Sequence, residues 1–194
     1  PYQCVAYTEI AKRMKNYEDP LFLNASVSAG KTMIFAMVAA QCQRMGLKMM
    51  VLARQGEIVD QDSEEISNFG VPNSVYCAAL KLKGVHFPIV VGSEGTVSNG
   101  LFKALGDYVP HVIGIDECHH MDWHDLAGAI ENEESWEQMT TKKGEIVLNG
   151  DGSRALNNDG EPMEGAGRTQ YTLIIREMQR RCKETYAQEL LIFV

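Results

Sequence analysis

The segment Ala25-Ser26-Val27-Ser28-Ala29-Gly30-Lys31-Thr32 decides the fold, because its small residues, lysine and hydroxyl group form a pattern typical of a phosphate-binding loop. An apolar run precedes it, and a stretch rich in alanine and methionine, suited to a helix, follows it. Small residues allow backbone N–H groups to surround a phosphate, the Lys31 ammonium can reach its outer oxygens, and Thr32 can ligate Mg²⁺. The segment departs from the G-x-x-x-x-G-K-[ST] pattern at its first position, where Ala25 replaces glycine.

A second segment, Asp116-Glu117-Cys118-His119, follows the apolar run Val112-Ile113-Gly114-Ile115. Such a run is typical of a buried parallel strand, and nucleotides bind at the carboxyl edge of open α/β sheets. Asp116 can hold Mg²⁺, and Glu117 can polarise a water aimed at the γ-phosphate. Two acidic residues after a strand can instead cap the next helix, but the upstream loop favours a nucleotide site. The two segments together predict binding of ATP or a close relative.

The composition indicates a globular chain that does not rely on bulk positive charge. Its 194 residues, 45% of them hydrophobic, suffice for one domain or at most two small ones. The net charge of −8 argues against holding nucleic acid by bulk electrostatics, although a local track needs only a few phosphate contacts. No apolar run approaches the roughly 20 residues of a membrane helix, and no secretory signal is visible.

The termini and cysteines add two expectations about the chain's origin. Because the sequence begins at Pro1 rather than methionine, we expect a fragment or a processed chain. The five cysteines show no paired spacing, which favours a reducing cytoplasm. Separately, we expect the host to be a bacterium or a phage-infected cell.

Apolar runs alternate with amphipathic stretches, the pattern of βαβ units around a parallel sheet. The pattern predicts helices over 3–15, 32–44, 57–68, 96–105 and 169–187, and strands over 21–24, 48–53, 74–78, 88–91, 112–115 and 190–194. Residues 144–168 form a glycine-rich insertion. Within it we predict a strand over 145–148 that enters a hairpin turn at Asn149–Gly152, and a mobile loop over Asn157–Gly167. The ligand spacing of an EF-hand is absent there.

The order of four segments resembles that of superfamily 2 helicases. These segments are the phosphate loop, Val51–Gln61, Val91–Val97 and Asp116–Met121. The resemblance is to the DExH type, near type III restriction-subunit-like ATPases and phage DNA helicases. It implies an α/β fold, specifically a three-layer RecA-like P-loop NTPase fold with a mostly parallel central sheet flanked by helices. It further implies that residues 1–194 are a single N-terminal ATP-binding domain carrying the insertion.

The resemblance also implies roles for individual residues, with ATP and Mg²⁺ as cofactors. The phosphates would be bound by Ser28, Ala29, Gly30, Lys31 and Thr32, Mg²⁺ by Thr32 and Asp116, and adenine by Gln3, which matches the family's R-x-Y-Q element. Glu117 would orient the hydrolytic water, and His119 would couple nucleotide state to nucleic acid. The sugar-phosphate backbone of one strand would be contacted by Arg54, Gln55, Ser93 and Thr96.

Several of these residues have simpler alternatives. By residue type alone, Gln3 is a solvated side chain, and Arg54 can equally pair with a surface carboxylate. A zinc site at Cys118, His119, His120 and His124 lacks a second ligand pair elsewhere in the sequence.

The resemblance implies a motor domain of a helicase or translocase, acting on DNA more than RNA. Its alternatives are an ATPase subunit of a restriction or remodelling complex without strand separation, and a non-catalytic nucleotide-binding docking module. The family's next motif and its second RecA-like domain, which supplies an arginine finger, are not found in this chain. Such a group accelerates phosphoryl transfer by about 10³–10⁵. We therefore expect the chain alone to bind nucleotide weakly, hydrolyse it slowly or not at all, and unwind nothing.

Overall fold

The computed structural model describes residues 2–16, 30–116, 136–167 and 169–193. The chain divides into two compact units, one formed by residues 1–118 with 178–194 and the other by residues 119–177. The predicted insertion at 144–168 falls within the second unit. The assignment of the whole chain to a single ATP-binding domain stays a prediction.

The first unit is built on a six-stranded sheet with strand order β3-β2-β4-β1-β5-β6. Neighbouring strands are parallel except β2 and β3, which pair antiparallel. In chain order, the elements of the described residues are α1 (Tyr2–Asn16), α2 (Lys31–Met45), β1 (Met49–Ala53), α3 (Gly56–Asn68), β2 (Asn73–Cys77), β3 (Leu82–Lys83), β4 (Ile89–Ser93), α4 (Glu94–Gly100), β5 (Val112–Ile115), α5 (Trp136–Thr140), α6 (Gln170–Tyr186) and β6 (Leu191–Phe193). This confirms the predicted α/β class with a mostly parallel central sheet.

The three central strands β4, β1 and β5 are buried at every residue. Their continuous apolar sequences suit a parallel sheet that is covered on both faces. Helix α3 packs against α2, and both contribute to one apolar core of the unit. The end of α2 is fixed by Gly46 in the left-handed region, with the Leu47 N–H donating to the Cys42 carbonyl. The core therefore holds α2 and α3 firmly beside the edge where the strands end.

Most predicted elements agree with the structure to within two residues, but two differ and one lies outside the described residues. The strand predicted over 145–148 is wrong, since only isolated bridges form there, at Ile146 and Leu148. The helix predicted over 96–105 is wrong at its C-terminal end, since α4 starts at Glu94 but stops at Gly100. Irregular turns follow, and the buried guanidinium of Arg181 donates to the carbonyls of Leu101, Leu105 and Gly106 in place of a helical ladder. The two-residue strand β3 was not predicted. The predicted strand at 21–24 lies outside the described residues.

In the second unit, an eight-residue repeat organises the insertion. The pattern Leu-Asn-x-Asp-Gly occurs at Leu148–Gly152 and again at Leu156–Gly160. Each copy forms a tight turn, in which the glycine N–H donates to the carbonyl of the asparagine three residues earlier. Three flanking residues are joined in a cycle of backbone hydrogen bonds. The Val147 N–H donates to the Met163 carbonyl, the Met163 N–H donates to the Ala155 carbonyl, and the Ala155 N–H donates to the Val147 carbonyl.

The outcome for the insertion is therefore mixed. The turn predicted at Asn149–Gly152 is present, and its Asp151 carboxylate accepts from both the N–H and the hydroxyl of Ser153. Where a mobile loop over Asn157–Gly167 was predicted, the structure has a second hydrogen-bonded turn. There the Asn157 side chain accepts from the N–H groups of Asp159 and Glu161. The prediction missed the repeat because it took the glycines as signs of irregular structure and did not recognise that they recur at the same position of an eight-residue repeat.

Candidate functional site

Gly30 lies in the predicted phosphate loop and is the N-cap residue of α2. Its φ of 73° lies in the left-handed region, which favours glycine. A Cβ at this position would lie 3.0 Å from Nε2 of Gln3 on α1. The structure thus brings the predicted adenine-binding residue against the end of the loop, next to the N-terminus of a 15-residue helix. Free N–H groups and the positive dipole end make such a terminus suited to a phosphate.

Lys31 and Asp116 come together from segments 85 positions apart in the sequence. The Lys31 ammonium lies 3.4 Å from Oδ1 of Asp116, and the two side chains are 31% and 10% exposed. Asp116 is held at the end of β5 because its N–H donates to the carbonyl of Leu52 in β1. The lysine of the loop and the first carboxylate of the second segment therefore share one site at the carboxyl edge of the sheet.

Asp62 is a third ionisable residue at this site, and the sequence analysis missed it. Its side chain is fully buried on α3, and among the described residues neither carboxyl oxygen has a hydrogen-bond partner. Burial first, and then the negative charge of Asp116, raise the pKa of Asp62 from 3.8 to about 7, whereas Thr32 and Lys31 oppose the rise. The Thr32 hydroxyl favours the ionised form of the carboxyl but does not form a hydrogen bond of full geometry with it.

A signal for Asp62 was present in the sequence. Val59, Asp62 and Ile66 are spaced three and four residues apart, which places them on one face of a helix. Val59 and Ile66 belong to the core, so the aspartate between them had to be buried as well. A carboxyl on an apolar helix face requires an explanation, because burying an unpaired polar group costs free energy.

The predicted nucleic-acid residues lie at the neighbouring strand ends. Arg54, directly after β1, pairs with Glu94 at the start of α4, with Nε and Oε1 3.8 Å apart. This is the carboxylate pairing that was weighed as the alternative for Arg54. Gln55 is exposed at the start of α3, where its side chain makes no capping hydrogen bond.

Ser93 and Thr96 bond to each other across the start of α4. Their hydroxyl oxygens are 2.7 Å apart, and the Thr96 oxygen also accepts the N–H of Ala78, which follows β2. These hydroxyls therefore tie the ends of β2 and β4 together. Their contact with nucleic acid stays a prediction.

The remaining predicted site residues, Ser28, Ala29, Glu117 and His119, lie outside the described residues, as do Cys118, His120 and His124 of the zinc alternative. Within the described ranges there is no group of three or more histidine, cysteine, aspartate or glutamate side chains that could hold a metal ion. The donors at the site are instead the Thr32 hydroxyl and the Asp116 carboxylate, both hard oxygen ligands. They fit Mg²⁺, which keeps several waters and takes only one or two protein ligands.

No helix among the described residues has the length and apolar character needed to cross a bilayer.

Comparison with known proteins places the chain in a family. No curated protein shows a significant match to the sequence. Residues 1–148 match the family described as "Type III restriction enzyme, res subunit", a P-loop domain of the helicase-like ATPases. Since the match covers more than half of the chain and includes both segments that meet at Lys31 and Asp116, the chain belongs to the type III restriction enzyme res subunit family and has its RecA-like, helicase-type ATPase fold.

Proposed function

We propose that this chain is the N-terminal motor domain of a DExH helicase or translocase, which couples hydrolysis of Mg-ATP to movement on DNA or its unwinding, with RNA as a possible track. The pairing of Lys31 with Asp116 carries the proposal, because it joins a phosphate-binding group to a metal-binding group at a helix N-terminus. The family supports a helicase-like ATPase in general.

In this mechanism the Lys31–Asp116 ion pair exchanges partners when nucleotide binds. Lys31 turns to the β- and γ-phosphate oxygens, where a charged hydrogen bond is strongest. Asp116 and Thr32 would then hold Mg²⁺, and the ion when bound would supply neutralisation of the charge on the phosphates. We assign Glu117 to orienting the attacking water and Gln3 to the adenine.

The nucleic-acid track is assigned to the ends of β1 and β4. Arg54 and Gln55 follow β1, Ser93 ends β4, and Thr96 lies in the first turn of α4. Strand β1 pairs with β4 on one side and with β5 on the other, so its backbone connects the track with Asp116. We propose that this sheet edge and His119 transmit the nucleotide state to the bound strand.

The family description favours one alternative above the others. A res-subunit-like ATPase can drive translocation or remodelling within a restriction complex without separating strands. A non-catalytic docking module is the remaining alternative. The motor proposal requires a second RecA-like domain as partner, because an arginine finger must come from outside the described site.

Turnover in the full-length protein separates these proposals. ATP hydrolysis is measured with single-stranded DNA, duplex DNA or RNA, and strand separation is measured on a forked duplex. The motor proposal predicts stimulation by nucleic acid and its loss in Lys31→Ala and in Glu117→Gln, the second variant still binding ATP. Lys103→Ala, an exposed lysine in the turns before β5, is the matched control. Equal hydrolysis in all four proteins would refute the motor. Stimulation without strand separation would favour the remodelling subunit.

A further inference from the structure

The carboxyl of Asp62 has no hydrogen bond of full geometry to any described residue, and the core fixes its position on α3. Its side chain is 0% exposed, and neither oxygen accepts a hydrogen bond from the described residues. Its neighbours on α3, Val59 and Ile66, pack into the same apolar cluster as Ile34 and Phe35 of α2. An unsatisfied buried carboxyl is costly, and a state of the protein in which it gains a partner would explain its presence.

The charged and polar groups that act on Asp62 identify that partner. They are Asp116 at the end of β5 and, from the first turn of α2, Thr32 and Lys31. Lys31 is turned toward Asp116, with its ammonium 3.4 Å from Oδ1. Of the described groups that act on Asp62, the remaining donor is the Thr32 hydroxyl, on the helix that packs against α3.

The chemistry of a metal-bound hydroxyl completes the argument, which rests on the proposed function. A hydroxyl group has one O–H donor and two oxygen lone pairs. When a lone pair of the Thr32 oxygen faces Mg²⁺, its proton must point away from the metal and needs an acceptor. We propose that Asp62 is a positioning residue that accepts this proton and so orients Thr32 toward the magnesium ion. Either protonation state of the carboxyl offers an oxygen for this bond.

Asp116 is the competing acceptor, since it also faces this site. If Asp116 took the Thr32 proton, Asp62 would be dispensable for Mg²⁺ and would only carry a cost to the fold. The two possibilities differ in what happens when Asp62 alone is replaced. Loss of a residue that hydrogen-bonds to a metal ligand typically lowers metal affinity by about 10–100-fold.

The test measures Mg²⁺-dependent binding of the fluorescent nucleotide N-methylanthraniloyl-ADP to the chain. Binding is titrated against Mg²⁺ and repeated in EDTA for wild type, Asp62→Leu, Asp62→Asn and Thr32→Ala, and for Asp62→Leu combined with Thr32→Ala. Asp62→Leu should raise the Mg²⁺ concentration for half-maximal binding roughly 10-fold or more and leave binding in EDTA unchanged. Asp62→Asn, whose amide oxygen still accepts, should lose less. In the Thr32→Ala background Asp62→Leu should have no further effect.

The outcomes distinguish this inference from the proposed function. Asp60→Leu, an exposed aspartate on the same helix, is the matched control, and circular dichroism verifies that each variant is folded. If wild type binds no nucleotide with Mg²⁺, the proposed function fails. If wild type binds but Asp62→Leu shows the same Mg²⁺ dependence, only the Asp62 inference fails. It also fails if Asp62→Leu weakens binding equally with and without Mg²⁺, or keeps its full effect beside Thr32→Ala. Should Asp62→Leu not fold, Asp62→Asn decides, and equal losses in Asp62→Asn and Thr32→Ala would overturn the inference.

Discussion

Replacing Asp62 by asparagine should make the free energy of unfolding less sensitive to pH. In the folded chain burial raises the pKa of this carboxyl from 3.8 to about 7. Below pH 3.8 the carboxyl is protonated in both the folded and the unfolded chain, so its ionisation does not affect the free energy of unfolding. As pH rises, the unfolded chain ionises first, so the folded state loses stability until the pH exceeds the folded pKa.

The size of this effect follows from the difference between the two pKa values. Each unit corresponds to 1.36 kcal/mol, so the ionisation of Asp62 costs the fold ~4 kcal/mol once the pH is above 7. More than half of this cost, about 2–3 kcal/mol, develops between pH 5 and pH 8. Asparagine cannot ionise, so Asp62→Asn should gain about that much relative to wild type over this range. Any fixed cost of the buried amide cancels, because it is the same at each pH.

Urea unfolding followed by circular dichroism measures this difference. The titration is done without nucleotide and with a chelator, so that no metal contributes at Thr32 or Asp116. Asp60→Asn, exposed on α3, controls for the removal of one negative charge, and its curve should run parallel to that of wild type. A difference between Asp62→Asn and wild type that stays constant from pH 5 to pH 8 would refute the burial argument.

Three further substitutions probe the frame of the site and its neighbours. Gly30→Ala should lower the free energy of unfolding by about 1–2 kcal/mol because of the positive φ. Adding Gln3→Ala should recover only the part of this loss that comes from the new methyl group's contact with Gln3. A free energy of unfolding identical to that of wild type would contradict the prediction. Arg181→Met should lower the free energy of unfolding by about 3 kcal/mol, because carbonyls that follow α4 lose a buried charged donor. The control Arg180→Met removes an exposed side chain that pairs with Glu184, and it should cost less than ~0.5 kcal/mol. Equal effects of the two substitutions would refute the role of Arg181. Arg54→Ala should leave the free energy of unfolding within ~0.5 kcal/mol of the wild-type value. It should weaken binding of single-stranded DNA and reduce the salt dependence of binding by about one phosphate contact. An unchanged salt dependence would place Arg54 outside the track.

The sequence contained enough to predict the frame of the site. Continuous apolar runs at Met49–Ala53 and Val112–Ile115 indicated buried parallel strands, and the structure places them side by side. Because parallel strands end at one edge, Asp116 was expected near the loop that starts α2. The distance between Lys31 and Asp116 confirms that the two segments meet.

Other features depend on contacts that no local pattern encodes. Arg181 reaches the carbonyls of Leu101 and Leu105 across about 80 positions, so the early end of α4 could not be inferred from its own residues. The bond from the Ala78 N–H to Thr96 likewise joins two separate strand ends, and it gives Thr96 a structural role that the family resemblance did not suggest. Asp62 differs from these, because its position between Val59 and Ile66 is visible in the helical period.

The central claim is that Lys31 and Asp116 form a nucleotide site, and one binding measurement tests it most directly. A fluorescent ATP analogue is titrated with Mg²⁺ into the wild-type chain, Lys31→Ala and the control Lys103→Ala, each verified as folded. We predict that Lys31→Ala weakens binding roughly 10- to 100-fold, as expected for loss of hydrogen bonds from a charged donor, and that Lys103→Ala binds like wild type. Equal affinity of Lys31→Ala and wild type, or no binding by the wild-type chain, would contradict the claim.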